Sequence, residues 1–360
     1  MPGFARTALS KSRLVLIALA ALALAVDGPA IAHAQVDETQ IAQERGDTLV
    51  AAYAGWVVWS SYDESTQDWR LVGRAPGSSS VEGFAVAARP IPFDVDLGPD
   101  ESGRTAAVYS RCQREPRAFM GVFASSRHRS GRGCRIVKLD LSTRRETTVY
   151  RRDGASLIYP TLWRNRLAYV VRGRRSTDLH LEQRVRSNGR TSAVNLGAAP
   201  ANKTEAPAAG PLRLDLYGQN LVFAWETEVP RCSGPSSTAD GRGPFVVSRV
   251  YLQRGTQPRA LLDKGCSDDA RPAAVKSADS VSVSSGIVSW VRVLQPDRST
   301  SGIYLRRRSL RTHKNSDAAL PSRYVSLAAD GQTVYAQADN FRIVALQTNQ
   351  AQRASKRNGS

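Results

Sequence analysis

The chain has few of the residues on which most catalytic and metal sites depend. Its 360 residues include four cysteines, four histidines and two methionines. No cysteine pair has the CxxC spacing of common zinc sites, and His128, His180 and His313 lie far apart. A GxSxG sequence is missing as well, so an α/β-hydrolase is not supported. No local motif therefore indicates an enzyme, although a serine triad assembled only in space stays open.

Long apolar runs and helical periodicity are also scarce, apart from one segment near the start. Residues 14–26 are apolar, follow a basic segment and precede the small-residue sequence Ala32-His33-Ala34. A run of about 13 residues is too short to span a bilayer, which needs roughly 20. We therefore predict a secretory signal over residues 1–34, cleaved after Ala34 or Ala32, and a secreted, extracytoplasmic mature chain without a transmembrane segment.

What the sequence does contain is a β pattern that recurs six times. Each copy has a residue that tolerates positive φ, then a short cluster ending in an aromatic, then a strand of alternating apolar and polar residues. The turn residues are Gly55, Gly103, Asn165, Gly218, Gly286 and Gly331. The clusters are 57–59, 107–109, 167–169, 221–223, 288–290 and 333–335, and the partner strands are 69–72, 136–139, 179–181, 250–252, 303–305 and 343–346.

The spacing of these copies predicts a closed ring of blades. Roughly 45 to 70 residues separate successive turns, close to the length of a four-stranded blade. We predict an all-β, six-bladed β-propeller over residues 48–346, after a lead-in segment 35–47 and before a disordered tail 347–360. The last copy lacks an outer strand, and the segment 40–43 either supplies it or frays as a tail. We expect a single domain and a monomer.

The four cysteines predict two disulfides in an exported chain. They lie at Cys112, Cys134, Cys232 and Cys266, and three pairings are possible. The repeat selects Cys112–Cys134, across the base of one hairpin loop, and Cys232–Cys266, at one end of the fourth blade. Each loop closure is expected to contribute about 3 kcal/mol.

Basic residues are strongly in excess. The formal net charge is +18, and about +14 of it falls within residues 101–190. An arginine patch around the first disulfide predicts an acidic partner, either a protein or an anionic polymer of the cell envelope, while export argues against genomic nucleic acid. The alternative is that these charges are simply solvated. The patch comprises Arg111, Arg114, Arg117, Arg127, Arg129, Arg132 and Arg135.

One set of carboxylates is a weak candidate for a metal site. Asp94 and Asp96 alternate along a strand, and Asp215 occupies the position equivalent to Asp96 two repeats later. If these strands line the central channel, their oxygens would suit Ca²⁺. The alternative is that they accept hydrogen bonds from the backbone or from arginine. The aromatic residues, including Trp56 and Trp163, indicate packing between blades first and a binding platform second.

Two stretches carry a resemblance to a known family. Residues 329–336 read Ala-Asp-Gly-Gln-Thr-Val-Tyr-Ala, and residues 159–163 read Tyr-Pro-Thr-Leu-Trp. The first is similar to the Ser-Pro-Asp-Gly signature of TolB-like six-bladed β-propellers, and the second resembles the Pro-x-Trp element before it. The pattern covers residues 49–346, without the separate N-terminal domain of TolB. The resemblance implies the fold, and protein or peptide binding on one propeller face.

Two functions from different classes follow from these observations. The first is a secreted, non-catalytic β-propeller that binds a protein or an anionic envelope polymer. It rests on the repeats, the signal and the scarcity of catalytic residues. The second is a propeller hydrolase or lyase with a metal centred in the channel, and it rests on Asp94, Asp96 and Asp215.

Overall fold

Twenty-four β-strands make up the regular structure of this chain. The computed structural model describes residues 34–115, 131–173, 179–197, 206–229, 245–268, 280–294 and 302–348. Within these ranges no helix is present, so the described protein is all-β. The strands form six four-stranded blades, and the predicted six-bladed β-propeller is confirmed. The boundaries assigned to the signal, the lead-in and the tail stay predictions.

The first three blades follow one another along the chain, and each is an antiparallel sheet of consecutive strands. Blade 1 contains β2 (Ala51–Tyr53), β3 (Trp56–Asp63), β4 (Asp68–Arg74) and β5 (Glu82–Gly83). Blade 2 contains β6 (Asp96–Pro99), β7 (Thr105–Arg111), β8 (Arg135–Asp140) and β9 (Glu146–Tyr150). Blade 3 contains β10 (Ser156–Trp163), β11 (Arg166–Arg172), β12 (Leu179–Ser187) and β13 (Arg190–Gly197).

The remaining blades repeat the arrangement, and the last one borrows a strand. Blade 4 contains β14 (Ala206–Tyr217), β15 (Asn220–Val229), β16 (Phe245–Arg254) and β17 (Ala260–Asp268). Blade 5 contains β18 (Val281–Ser284), β19 (Ile287–Leu294), β20 (Gly302–Ser309) and β21 (Asn315–Ala319). Blade 6 contains β22 (Tyr324–Asp330), β23 (Thr333–Ala338), β24 (Arg342–Thr348) and the N-terminal strand β1 (Ala34–Gln43).

Strand β1 closes the ring. It pairs antiparallel with β24 from Val36 opposite Thr348 to Gln43 opposite Arg342. Its first two residues also pair in parallel with β21 of blade 5, at Ala34 opposite Ala318 and Gln35 opposite Ala319. The N-terminal segment therefore supplies the outer strand that the sixth repeat lacks. Because β1 covers β24, blade 6 does not leave an unpaired edge there.

The aromatic-ending clusters of the repeat form the second strand of every blade, and the partner strands form the third. The hairpin turn before each cluster joins the first strand to the second. Five of the six predicted turn residues are glycines, and all five have positive φ, between 61° and 84°. The prediction for Asn165 is wrong, because Arg164 takes the positive φ of 52° instead. The Asn165 side chain donates to the carbonyl of Arg186 at 2.6 Å.

Neighbouring blades are joined by apolar packing and by hydrogen bonds between their first strands. Trp59, Tyr109 and Trp290 are among the largest fully buried side chains. In blade 5 the hydroxyls of Ser280, Ser282 and Ser284 accept from backbone N–H groups of blade 6 at 2.8 to 3.0 Å. These bonds explain the buried serines, because a buried hydroxyl needs a partner.

The antiparallel order gives the ring two distinct ends. The turn between first and second strands of each blade lies at one end, which we call the hairpin end. The connection between second and third strands lies at the other end, which we call the disulfide end. In blade 2 this connection begins with Cys112, directly after β7, and ends with Cys134, directly before β8. All the interruptions in the described chain fall in connections at the disulfide end. The hairpin end is therefore described in every blade.

Candidate functional site

Asp94 precedes the first strand of blade 2 and links this blade to the next. Its carboxylate accepts from the backbone N–H and the hydroxyl of Ser110 at 2.8 and 2.7 Å, and from the N–H of Tyr159 in blade 3 at 2.8 Å. Arg89 lies 3.7 Å away. Four polar contacts already surround this carboxylate, so it serves as a connection between blades.

Asp96 and Asp215 lie deeper, on either side of a buried arginine. Nη2 of Arg213 is 3.5 Å from Oδ1 of Asp96, and Nη1 is 3.3 Å from the hydroxyl of Ser326. Asp215 accepts from the backbone N–H of Val283 at 2.8 Å and from the hydroxyl of Ser282. Asp96 lies close enough to Asp215 for the charge of that carboxylate to act on it, and Arg213 acts on both.

Burial sets the protonation of this pair. It raises the pKa of Asp96 to about 8, with the negative charge of Asp215 adding to the rise and Arg213 opposing it. The pKa of Asp215 is also raised by burial. Within the described ranges no group of three or more His, Cys, Asp or Glu side chains is placed to hold a metal ion. The carboxylates thus have Arg213 and backbone donors among their partners.

Three buried polar atoms near this centre make no hydrogen bond within the described part of the chain. They are Oδ2 of Asp96, Oγ1 of Thr161 and Nε of Arg213. The three side chains come from the first strands of blades 2, 3 and 4. The hydroxyl of Thr161 nevertheless lies close enough to Asp96 to lower the pKa of that carboxyl, so these two groups are polar neighbours inside the ring.

The disulfide Cys112–Cys134 forms as predicted, with an S–S distance of 2.04 Å. It joins the end of β7 to the start of β8, so it closes the base of the longest connection of blade 2. The pairing of Cys232 with Cys266 stays a prediction, because Cys232 lies outside the described residues. A disulfide is typical of proteins in oxidising compartments.

Only part of the predicted arginine patch falls within the described residues. Arg117, Arg127 and Arg129 lie outside the described residues. Arg111 is half-buried over the rings of Phe93 and Tyr109 and forms an ion pair with Glu146 at 3.2 Å. Its role is therefore structural. Exposed side chains remain at Arg114, Arg132 and Arg135.

Two of the exposed arginines face each other directly. Arg114 and Arg132 exchange both backbone hydrogen bonds, at 3.2 and 2.9 Å, in an antiparallel bridge beyond the disulfide. Like charges opposite each other across a strand pair destabilise the pair. The nearby carboxylate of Glu115 does not relieve this, because Arg89 binds it at 2.7 Å. Among the described residues no carboxylate pairs with either arginine.

Blade 3 adds one arginine that sequence reasoning missed. Arg172 ends β11 and donates to the carbonyl of Gly131, next to Arg132. Burial lowers the pKa of Arg172, and the charge of Arg132 lowers it further. Its proximity depends on how blades 2 and 3 pack, so no signal within one repeat could have found it. We call Arg114, Arg132, Arg135 and Arg172 the arginine cluster.

The hairpin end carries a different arrangement, built from aromatic rings. Tyr53, Trp163 and Tyr217 are the last residues of the first strands in blades 1, 3 and 4. The ring centroids of Tyr53 and Trp163 are 5.6 Å apart, and those of Trp163 and Tyr217 are 4.1 Å apart. Blades 1 and 3 are not neighbours, so the rings extend across the end of the channel. All three are half-buried, and we call them the mouth cluster.

Charges of both signs border the mouth cluster. Asp330 ends the first strand of blade 6, and one of its oxygens accepts from the N–H of Gly55 at 2.6 Å. Arg164 is exposed directly after Trp163. Burial raises the pKa of Tyr53; Tyr217 and the Asp330 carboxylate raise it further, and Arg164 opposes the rise. Both charged side chains therefore lie close enough to act on Tyr53.

Comparison with known proteins assigns this chain to no family. No family model matches the sequence, and no curated protein sequence matches it either. Within the described residues no helix has the length and apolar character needed to cross a membrane.

Several solved structures are similar in shape. TolB from Acinetobacter baumannii is 12% identical with a TM-score of 0.42, over 82% of this chain and 64% of that one. A Mycobacterium tuberculosis puromycin-hydrolyzing peptidase is 12% identical with a TM-score of 0.41, over 86% of this chain and 52% of that one. The β-propeller domain of the Trilobed protease from Pyrococcus furiosus is 8% identical with a TM-score of 0.40, over 86% of this chain and 94% of that one. The chain thus spans less than two thirds of the first two, and such distant likenesses indicate no activity.

Proposed function

We propose that this chain is a secreted, non-catalytic β-propeller that binds an anionic partner through the disulfide end of the ring. The partner is an anionic polymer of the cell envelope or an acidic protein surface. Extracytoplasmic location is supported by the disulfide and by the predicted signal over residues 1–34. The binding surface is the arginine cluster.

One observation carries the proposal, namely that the nearby carboxylates are already occupied. Glu115 pairs with Arg89 and Glu146 pairs with Arg111. Three exposed arginines are left at one end of blade 2, with a fourth from blade 3 beside them. Such a concentration of one sign of charge is unfavourable in the free protein, and an anionic partner relieves it.

The interior of the ring supports a non-catalytic role. Asp96 and Asp215 are buried around Arg213, and Asp94 is held by backbone donors. The alternative of a channel-centred metal hydrolase therefore has no specific observation in its favour.

Two polyanions and one charge-reversed variant test the proposal. Poly-L-glutamate presents carboxylates and polyphosphate presents phosphates, so comparing them shows which chemistry is preferred. We expect the triple variant Arg114→Glu, Arg132→Glu, Arg135→Glu to lose at least about tenfold in affinity. Wild-type binding should also weaken steeply as salt rises, because exposed charges are screened.

The matched control reverses the same number of charges at the opposite end. Arg145, Arg190 and Arg311 are exposed; Arg145 and Arg311 lie in connections between third and fourth strands, and Arg190 begins the fourth strand of blade 3 directly after such a connection. Their triple change to glutamate alters the net charge equally, so a non-specific attraction would fall by the same factor in both variants. Equal losses, or wild-type binding too weak to measure at low salt, would show that the arginine cluster is not a binding surface.

A further inference from the structure

The mouth cluster has features that packing between blades does not require. The indole N–H of Trp163 and the hydroxyls of Tyr53 and Tyr217 make no hydrogen bond to any described residue. Each ring packs against a blade core cluster and is only half-buried, so the polar tips remain within reach of solvent or of a ligand.

A polar layer lies directly behind the rings. Thr161 is two residues before Trp163 in β10, and Asp215 is two residues before Tyr217 in β14. Residues two apart in a strand share a face, so each ring is backed by a polar side chain on its own strand. Thr161 is fully buried, and its hydroxyl lies close enough to Asp96 to lower the pKa of that carboxyl. The end of the channel therefore combines aromatic surface with a buried polar layer behind it.

The border charges limit the class of ligand. Asp330 disfavours an anion at the mouth, and Arg164 disfavours a cation. A purely apolar group would leave the tyrosine hydroxyls and the indole N–H without partners. A neutral molecule with an apolar face and several hydroxyls satisfies all these groups. The pyranose ring of a sugar has this form, since its C–H face lies flat on an aromatic ring while its hydroxyls point outward.

We propose that the mouth cluster, Tyr53, Trp163 and Tyr217, is a binding site for one pyranose unit of a neutral carbohydrate. Trp163 supplies the surface on which the sugar lies, because it is central to the cluster and contacts both tyrosines. The tyrosine hydroxyls, Arg164 and Asp330 bond its hydroxyls at the rim. This site lies at the hairpin end and does not depend on the arginine cluster.

The test uses the mature chain and three neutral tetrasaccharides, namely maltotetraose, cellotetraose and chitotetraose. Isothermal titration calorimetry, with sugar up to about 10 mM, should detect at least one of them, since a dissociation constant near 1 mM is typical of weak single-site binding. We expect Trp163→Ala to weaken binding about tenfold or more, the loss that follows removal of one stacked ring. Trp163→Phe should lose less, because a ring remains.

Tyr150→Ala is the control. Tyr150 is also a half-buried aromatic residue, but it ends the outer strand of blade 2, where it packs against Tyr169 with Arg184 over its ring. Its removal should leave sugar affinity unchanged. If Tyr150→Ala weakens binding as much as Trp163→Ala does, the site is elsewhere and the proposal is wrong.

A measurement on the unmodified protein keeps the test decisive if the Trp163 variants do not fold. Saturation-transfer NMR on wild type, with the aromatic protons irradiated, should mark the C–H protons of one sugar unit.

The variant Arg164→Asn tests the rim of the site with little risk to folding, because asparagine accepts the positive φ of this turn. It should weaken binding two- to fivefold, about the effect of one exposed hydrogen bond. No heat and no transfer with all three sugars would overturn the proposal.

Discussion

Replacing Glu38 with alanine tests whether β1 closes the ring, because this one side chain fastens β1 to two other strands. Its carboxylate lies 2.7 Å from Nη1 of Arg342 in β24. It also accepts a hydrogen bond from the hydroxyl of Tyr324, a fully buried residue that begins β22. Burial raises the pKa of Tyr324, and the bond to Glu38 raises it further, so the hydroxyl keeps its proton and donates.

The size of the effect follows from these two contacts. A hydrogen bond from a buried hydroxyl to a charged acceptor is worth about 1.5–3 kcal/mol. The ion pair adds only about 0.5–1 kcal/mol, because Arg342 is partly exposed to screening water. Glu38→Ala should therefore reduce the free energy of unfolding by about 2–4 kcal/mol, which is about 4–8 °C in melting temperature for a domain of this size.

Urea and thermal unfolding of four proteins measure this contribution. A cycle of Glu38→Ala, Tyr324→Phe and the double variant should give a coupling energy of about 1–2 kcal/mol. Glu64→Ala is the control, since the Arg45–Glu64 pair is more than half exposed and its loss should cost less than about 0.5 kcal/mol. If Glu38→Ala destabilises no more than Glu64→Ala, β1 is not held against β24 in solution.

Two further predictions concern the interior of the ring. A Cβ at Gly98 in β6 would overlap the carbonyl oxygen of Leu162 in blade 3, so Gly98→Ala should cost about 2–3 kcal/mol in urea unfolding. Gly83→Ala, whose Cβ meets nothing within 4 Å, should be near neutral, and equal costs would contradict the close approach of blades 2 and 3. The pKa of Asp96 is about 8 in the folded protein against 3.8 as a reference, so the folded state retains a proton that the unfolded chain releases. For this reason the free energy of unfolding should fall as the pH rises from about 4 to about 8, and Asp96→Asn should flatten that decline. If the slope of the variant equals that of wild type, Asp96 is ionised in the folded protein.

The fold could be predicted because its determinants are local in each repeat. A positive-φ glycine, an alternating strand and a cluster ending in an aromatic recur at intervals that only a blade architecture explains. The first disulfide could be predicted from the same repeat, because Cys112 and Cys134 flank one hairpin. Asn165 shows the limit of this reasoning. Asparagine tolerates positive φ, but its side chain bonds the carbonyl of Arg186, and Arg164 takes the strained position.

The candidate sites could be predicted only where they lie within one repeat. Arg114, Arg132 and Arg135 flank the same hairpin, and their clustering was visible in the sequence. Arg172 joins them from the next blade, and nothing near it in the sequence indicates this. The mouth cluster is more distant still, because Tyr53 and Trp163 are more than a hundred residues apart. Their contact depends on closure of the whole ring.

The carboxylates show why alternating acidic residues are ambiguous in a propeller. The first strands of adjacent blades run side by side, and many of their backbone N–H groups are bonded across the gap by side chains. Ser280, Ser282 and Ser284 perform this task between blades 5 and 6, and Asp94 performs it between blades 2 and 3. Asp215 bonds the N–H of Val283 in the same way. Serine and aspartate at alternate positions of a first strand are thus needed to accept hydrogen bonds from the backbone of the next blade. A metal site would need further carboxylates that do not make such bonds.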